Sequence, residues 1–99
     1  MQRFTDPQHV EVGVGVPFVV ELTGNGVGGY LWRVGAVPAS VALHDERDVA
    51  PSEVVPGAGG SKEFELEATE PGEAVVRFLL KRDWEDAPAR EQVVRVTAG

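Results

Sequence analysis

Three stretches of this 99-residue chain combine residue types that could do chemistry. Gly24-Asn25-Gly26-Val27-Gly28-Gly29 satisfies G-x-G-x-x-G, which cradles a pyrophosphate when a strand precedes it and a helix N-terminus follows it. His44-Asp45-Glu46-Arg47-Asp48 sets a histidine among three carboxylates, the donor types of a metal site. Asp83, Glu85 and Asp86 surround Trp84 and could supply the paired carboxylates of a hydrolase. Each fails on its surroundings. The glycine run is followed by Tyr30-Leu31-Trp32-Arg33-Val34, aromatic and β-branched, with Gly35 and Pro38 close behind. No helix is predicted there, and so no phosphate cradle. The 44–48 run offers adjacency in sequence, not convergence in space, and is predicted to be a solvated charged loop. A carboxylate pair needs a cleft, which a chain this short rarely builds. Ser40, Ser52 and Ser61 lack a G-x-S-x-G context, and His9 stands alone at a strand start. No enzyme, metal or cofactor is expected.

The glycine run still needs an account. Asn-Gly favours a two-residue hairpin turn, yet such a turn does not need four glycines in six residues. The surplus fits either a loop whose backbone is closely approached or a wide loop that tolerates glycine. The two tryptophans differ. Trp32 alternates with Tyr30 and Val34, which predicts a core residue. Trp84 lies in a loop among charges, the setting of an interface anchor.

The elements that must hold these residues follow a period of two. Val10, Val12, Val14 and Val16 alternate with smaller or polar residues, as do Phe64, Leu66 and Ala68 with Glu63, Glu65 and Glu67. This is the pattern of half-buried strands, and abundant valine favours it. Turn residues punctuate the runs, and no helical period lasts three turns. About seven strands are predicted, over 9–16, 17–22, 30–35, 41–45, 61–68, 73–81 and 91–97. They predict one all-β domain, 1–99, built as an antiparallel sandwich or barrel. The longest connection, 46–60, could hold a short strand at Val54-Val55. If strands alternate up and down, the connections after the second, fourth and sixth fall at one end. These are Thr23–Gly29, Glu46–Gly60 and Arg82–Ala89.

Bulk properties narrow the partners. A net charge of −7 repels nucleic acid and anionic membrane surfaces. With no cysteine there is no disulfide, thiol catalysis or cysteine-based zinc site. No apolar run is long enough to span a bilayer, and "MQRFTDPQHV" lacks a signal-peptide core. The compartment stays open between a retained protein and an exported one with its signal removed. A monomer is expected.

Three motifs in order give the chain a family resemblance. Asn25-Gly26-Val27-Gly28-Gly29-Tyr30-Leu31-Trp32 is similar to the N-P-T-T-G-[YF]-x-W of chagasin-type inhibitors of papain-like cysteine peptidases. Gly57-Ala58-Gly59-Gly60 matches that family's G-x-G-G, and Arg82-Asp83-Trp84 its R-P-W at two of three positions. The resemblance implies an immunoglobulin-like sandwich. Its loops 23–29, 57–60 and 82–86 would enter a peptidase cleft as a reversible, non-covalent plug. It implies peptidase contacts from Asn25, Gly26, Val27, Gly28, Gly29, Gly57, Ala58, Gly59, Gly60, Arg82, Asp83 and Trp84. Arg82 would pair with an enzyme carboxylate or buttress the loop internally. Gly26 stands where the family has proline, Val27-Gly28 where it has two threonines, and Asp83 where it has the second proline. These changes free a φ angle and remove two hydroxyls, and a freer tip binds less tightly. The competing reading is a non-inhibitory protein-interaction module on the same fold; carbohydrate binding rests only on Trp84 and the nearby acids.

Overall fold

Eight strands form among the residues that the computed structural model describes, 1–51 and 59–99. They are β1 (Gln2–Thr5), β2 (His9–Val12), β3 (Phe18–Asn25), β4 (Leu31–Ala36), β5 (Val41–Val49), β6 (Gly60–Ala68), β7 (Gly72–Lys81) and β8 (Arg90–Ala98). Two four-stranded sheets result, in the orders β1-β3-β6-β5 and β2-β8-β7-β4. They stack as a sandwich, the predicted fold class.

The period of two does the folding. On β6, Phe64, Leu66 and Ala68 point inward and are buried, as are Val76, Phe78 and Leu80 on β7 and Val94, Val96 and Ala98 on β8. The Phe64 and Phe78 rings meet across the sheets, centroids 4.6 Å apart. Fully burying each such side chain contributes about 1.5–3 kcal/mol. The opposite parity of the β1-β3-β6-β5 sheet carries charge. Glu63 is buried there opposite Glu21, and the clash is relieved by Arg3 from β1 and Arg47 from β5, which ion-pair with Glu63 from either side.

Several expectations are corrected. The strand missed from sequence is β1, whose single apolar residue, Phe4, sets an edge-on contact with Phe18 at 6.1 Å. The sheets are not wholly antiparallel, because β1 runs parallel to β3 and β2 parallel to β8. The chain crosses from one sheet to the other between them, at Asp6, whose φ of 48° is one that aspartate tolerates. The strand predicted over 9–16 stops at Val12. Gly13–Pro17 is instead a turn, closed by Val16 N–H donating to Gly13 O at 3.3 Å and Gly15 N–H to Ala68 O at 2.8 Å. Thr23–Asn25 belong to β3 rather than to the following loop. His44–Asp48 form no loop: they continue β5, an outer strand of its sheet. The connection therefore shortens from 46–60 to 50–59, and the strand suggested at Val54-Val55 lies outside the described residues.

The inferred clustering of loops follows from register. Asn25 pairs with Gly60, Val49 with Ser61, and Leu31 with Lys81. The connections 26–30, 50–59 and 82–89 therefore leave the sandwich at one pole. The added β1 precedes the alternation and leaves it intact. At the other pole lie the 13–17 turn, the start of β1 opposite Phe18, and the end of β8 opposite both Val12 and Gly72.

Candidate functional site

The loop pole is built on Trp32, which is 2% exposed and sits at the head of β4. Its indole N–H donates to Thr23 O at 2.7 Å. Its backbone N–H donates to Asn25 Oδ1 at 2.8 Å. The other end of the Asn25 amide donates to Asp48 Oδ1 at 3.1 Å. Asp48 in turn lies 3.6 Å from Lys62 Nζ. Thr23 is held from below, its N–H and hydroxyl both donating to the Asp6 carboxylate, at 2.9 and 2.6 Å. The stem of the first loop is thus tied to Asp6 at the β1–β2 crossing, to β4 and to β5.

On this stem sits a single 3₁₀ turn, Val27–Gly29. Gly26 N–H donates to Tyr30 O at 2.6 Å, and Tyr30 N–H to Val27 O at 3.1 Å. Gly26, Gly28 and Gly29 have φ of 91°, 61° and 83°, a region costly for side-chain-bearing residues. This decides between the two readings of the surplus glycine. The turn is tight rather than wide, and it is closely approached, but by the protein's own side chains. A Cβ on Gly29 would stand 2.8 Å from Trp84 Cη2. A Cβ on Gly59 would run into Val27.

The 82–89 loop closes through Glu85 N–H to Arg82 O at 3.2 Å and Ala89 N–H to Leu80 O at 2.8 Å. Arg82 Nε donates to Gly28 O at 2.8 Å, and Nη1 to Glu85 Oε1 at 3.2 Å. Its guanidinium carbon lies 4.3 Å from the Tyr30 ring centroid and 5.6 Å from that of Trp84. Asp83 ion-pairs with Arg33 of β4. Trp84 is 71% exposed, and Val27 is 42% exposed.

The structure therefore sorts the predicted site residues. Gly26, Val27, Gly28, Gly29, Arg82, Asp83 and Trp84 come together at one pole, with Gly59 against Val27. Gly60 opens β6 and sits against the Val49 carbonyl rather than in a loop. Asn25 is 7% exposed, with both ends of its amide engaged inside the protein. Gly57 and Ala58 lie outside the described residues. The supports that sequence reasoning missed are Tyr30 as a platform for Arg82, and Asp48, Glu85 and Arg33 as partners. Only Tyr30 carried a signal, as the aromatic of its motif. Among the described residues no cluster of histidine and carboxylates could hold a metal ion. His44 instead faces Glu67 across the β5–β6 pair at 3.1 Å.

Residues 11–98 match the family described as Chagasin family peptidase inhibitor I42. No curated protein matches the sequence. Solved structures do match. The cysteine protease inhibitor EhICP2 from Entamoeba histolytica superposes with a TM-score of 0.79 at 18% identity, covering 99% of this chain and 95% of that one. Amebosin gives 0.77 at 21% identity, with 99% and 97% covered. PbICP-C, solved in complex with falcipain-2, gives 0.74 at 13% identity, with 99% and 92% covered. At these identities the structures establish a shared fold.

Proposed function

Since the chain belongs to the chagasin family of peptidase inhibitors, we propose that it plugs the active-site cleft of papain-like cysteine peptidases with the pole at which 26–30 and 82–86 meet Gly59. The observation that carries this reading is the convergence of an exposed Trp84 and an exposed Val27 on one glycine turn, held in place before any partner arrives. Two of the structural neighbours support the target class: one is a cysteine protease inhibitor, and another was solved with falcipain-2.

The chemistry of such a plug is simple. The turn Gly26-Val27-Gly28-Gly29 carries no electrophilic side chain, and the occlusion is read as non-covalent. Its near-bare backbone enters a narrow cleft without side-chain clash. Trp84 adds a large apolar contact beside it. A turn already fixed by hydrogen bonds loses little freedom on binding. This compensates for the missing proline and threonines, because the constraint comes from Arg82 and Asn25 instead. The chain itself is read as an inhibitor and not an enzyme, which its membership of an inhibitor family supports.

The test is titration against papain and a cathepsin L-type peptidase. Inhibition that recovers fully on dilution is expected, as is binding to the same enzyme with its active-site cysteine alkylated. No inhibition at tens of micromolar would overturn the reading. In that case, a partner that is not a peptidase and that protects these loops from exchange would establish the interaction-module alternative.

A further inference from the structure

Arg82 and Trp84 share a loop, yet their surroundings differ. Trp84 offers most of its surface to solvent, while the Arg82 side chain is about two-thirds covered, 32% exposed, and directs two of its nitrogens inward. Its Nε is spent on Gly28 O and its Nη1 on Glu85. The Tyr30 and Trp84 rings both lie within cation–π reach of it. Glu85 balances its charge at 3.2 Å. Two of the three Arg82 nitrogens are thus engaged inside the protein, which favours an inward role over a pair with a partner's carboxylate. We propose that Arg82 is a positioning residue that joins the 26–30 turn and the 82–89 loop into one rigid body in the free protein, and that it governs how often the tip is in its binding-competent shape. Its effect on inhibition rests on the reading above; its effect on the free protein does not.

The geometry needs arginine in particular. Gly28 O gains its donor from Nε, which lysine lacks, and the planar guanidinium can reach two rings while donating in its own plane. A lysine would keep the charge and lose the fork. A tip without the clamp samples other shapes, and apparent affinity falls in proportion to the competent fraction. That loss appears in the association rate. Loss of a direct contact would instead appear mainly in dissociation.

The experiment compares the wild type with Arg82→Lys and Arg82→Ala. In the free protein, amide exchange at Gly28–Tyr30 should rise about tenfold in both variants, reflecting the lost competent fraction. Thermal unfolding, recorded alongside, confirms that both are folded. Against papain, association should slow about tenfold in both, with dissociation changed less than about threefold. Full retention of inhibition by Arg82→Lys would overturn the proposal, as would a loss confined to dissociation or unchanged exchange at residues 28–30. If the wild type inhibits nothing, the inhibitor reading fails while the exchange measurement still decides the clamp. Should either variant unfold, Arg82→Gln, which keeps an amide donor but no charge, takes its place with the same outcomes.

Discussion

The two poles of the sandwich use the same materials. At one end, Gly13-Val14-Gly15-Val16-Pro17 turns the chain between β2 and β3; at the other, Gly26-Val27-Gly28-Gly29 turns it between β3 and β4. Each turn uses glycine at positive φ, Gly15 in the one and Gly26, Gly28 and Gly29 in the other, and both expose valine. The difference lies in what reaches across them. Among the described residues, the 13–17 turn is closed by backbone hydrogen bonds alone. The 26–30 turn is also gripped by Arg82, covered by Trp84, wedged by Gly59 and rooted on Asn25. Glycine and valine make a tip; side chains arriving from distant strands make it a preformed one.

Four expectations sharpen or break this contrast. The largest concerns the exposed apolar groups. Trp84→Ala should weaken inhibition by about 2–4 kcal/mol, more than tenfold in the constant. Val16→Ala, at another exposed apolar position on the other pole, should leave it unchanged. Equal effects in an inhibition titration would remove Trp84 from the interface. Next is the root of the turn. Asn25→Ala strands the buried N–H of Trp32 and should cost about 1–3 kcal/mol of stability, read by denaturant unfolding. A loss within the noise would show that Asn25 does not hold the stem.

A paired comparison of glycines comes third. Gly29→Ala and Gly15→Ala each place a Cβ at positive φ, costing about 1–2 kcal/mol by thermal unfolding. Only at Gly29 does the new Cβ meet another residue, so only Gly29→Ala should lower inhibition and shift Trp84 fluorescence. The smallest effect belongs to Asp83. Its pair with Arg33 is exposed, so Asp83→Ala should change stability by no more than about 0.5 kcal/mol. A larger change in an unfolding titration would mean that the pair replaces the rigidity of the family's proline.

The sandwich was legible because burial writes itself into the sequence as alternation. Phe64-Glu65-Leu66-Glu67-Ala68 can be satisfied only by a strand with one wet face. The pole was legible for a topological reason: counting strands places their connections. The errors fall where burial leaves no alternating signature. β1 carries one apolar residue in four and forms through its backbone ladder with β3. The second half of β5 looked like a loop because it is an edge, where charges discourage pairing with another chain. Asn25 looked like a binding residue because it heads the motif Asn25–Trp32. Its amide also binds Trp32 N–H and Asp48, the latter 23 positions away, and no local pattern announces that second bond. Arg82 shows the same limit. Its motif marked it as important, while the choice between outward contact and inward clamp depended on where Gly28 and Tyr30 sit in space.

The pairing of Gln2 with Phe18 and of Ala98 with Gly72 has a practical consequence. Both ends of the described fold emerge at the pole remote from the 26–30 turn. A tag, a surface linkage or a second copy attached through either end leaves the 26–30 pole pointing outward. Two copies joined end to end by a flexible linker would keep both tips clear of the linker and free to reorient. On a surface dense in peptidase, the second engagement would occur at the effective concentration set by the linker, raising avidity with no new contact.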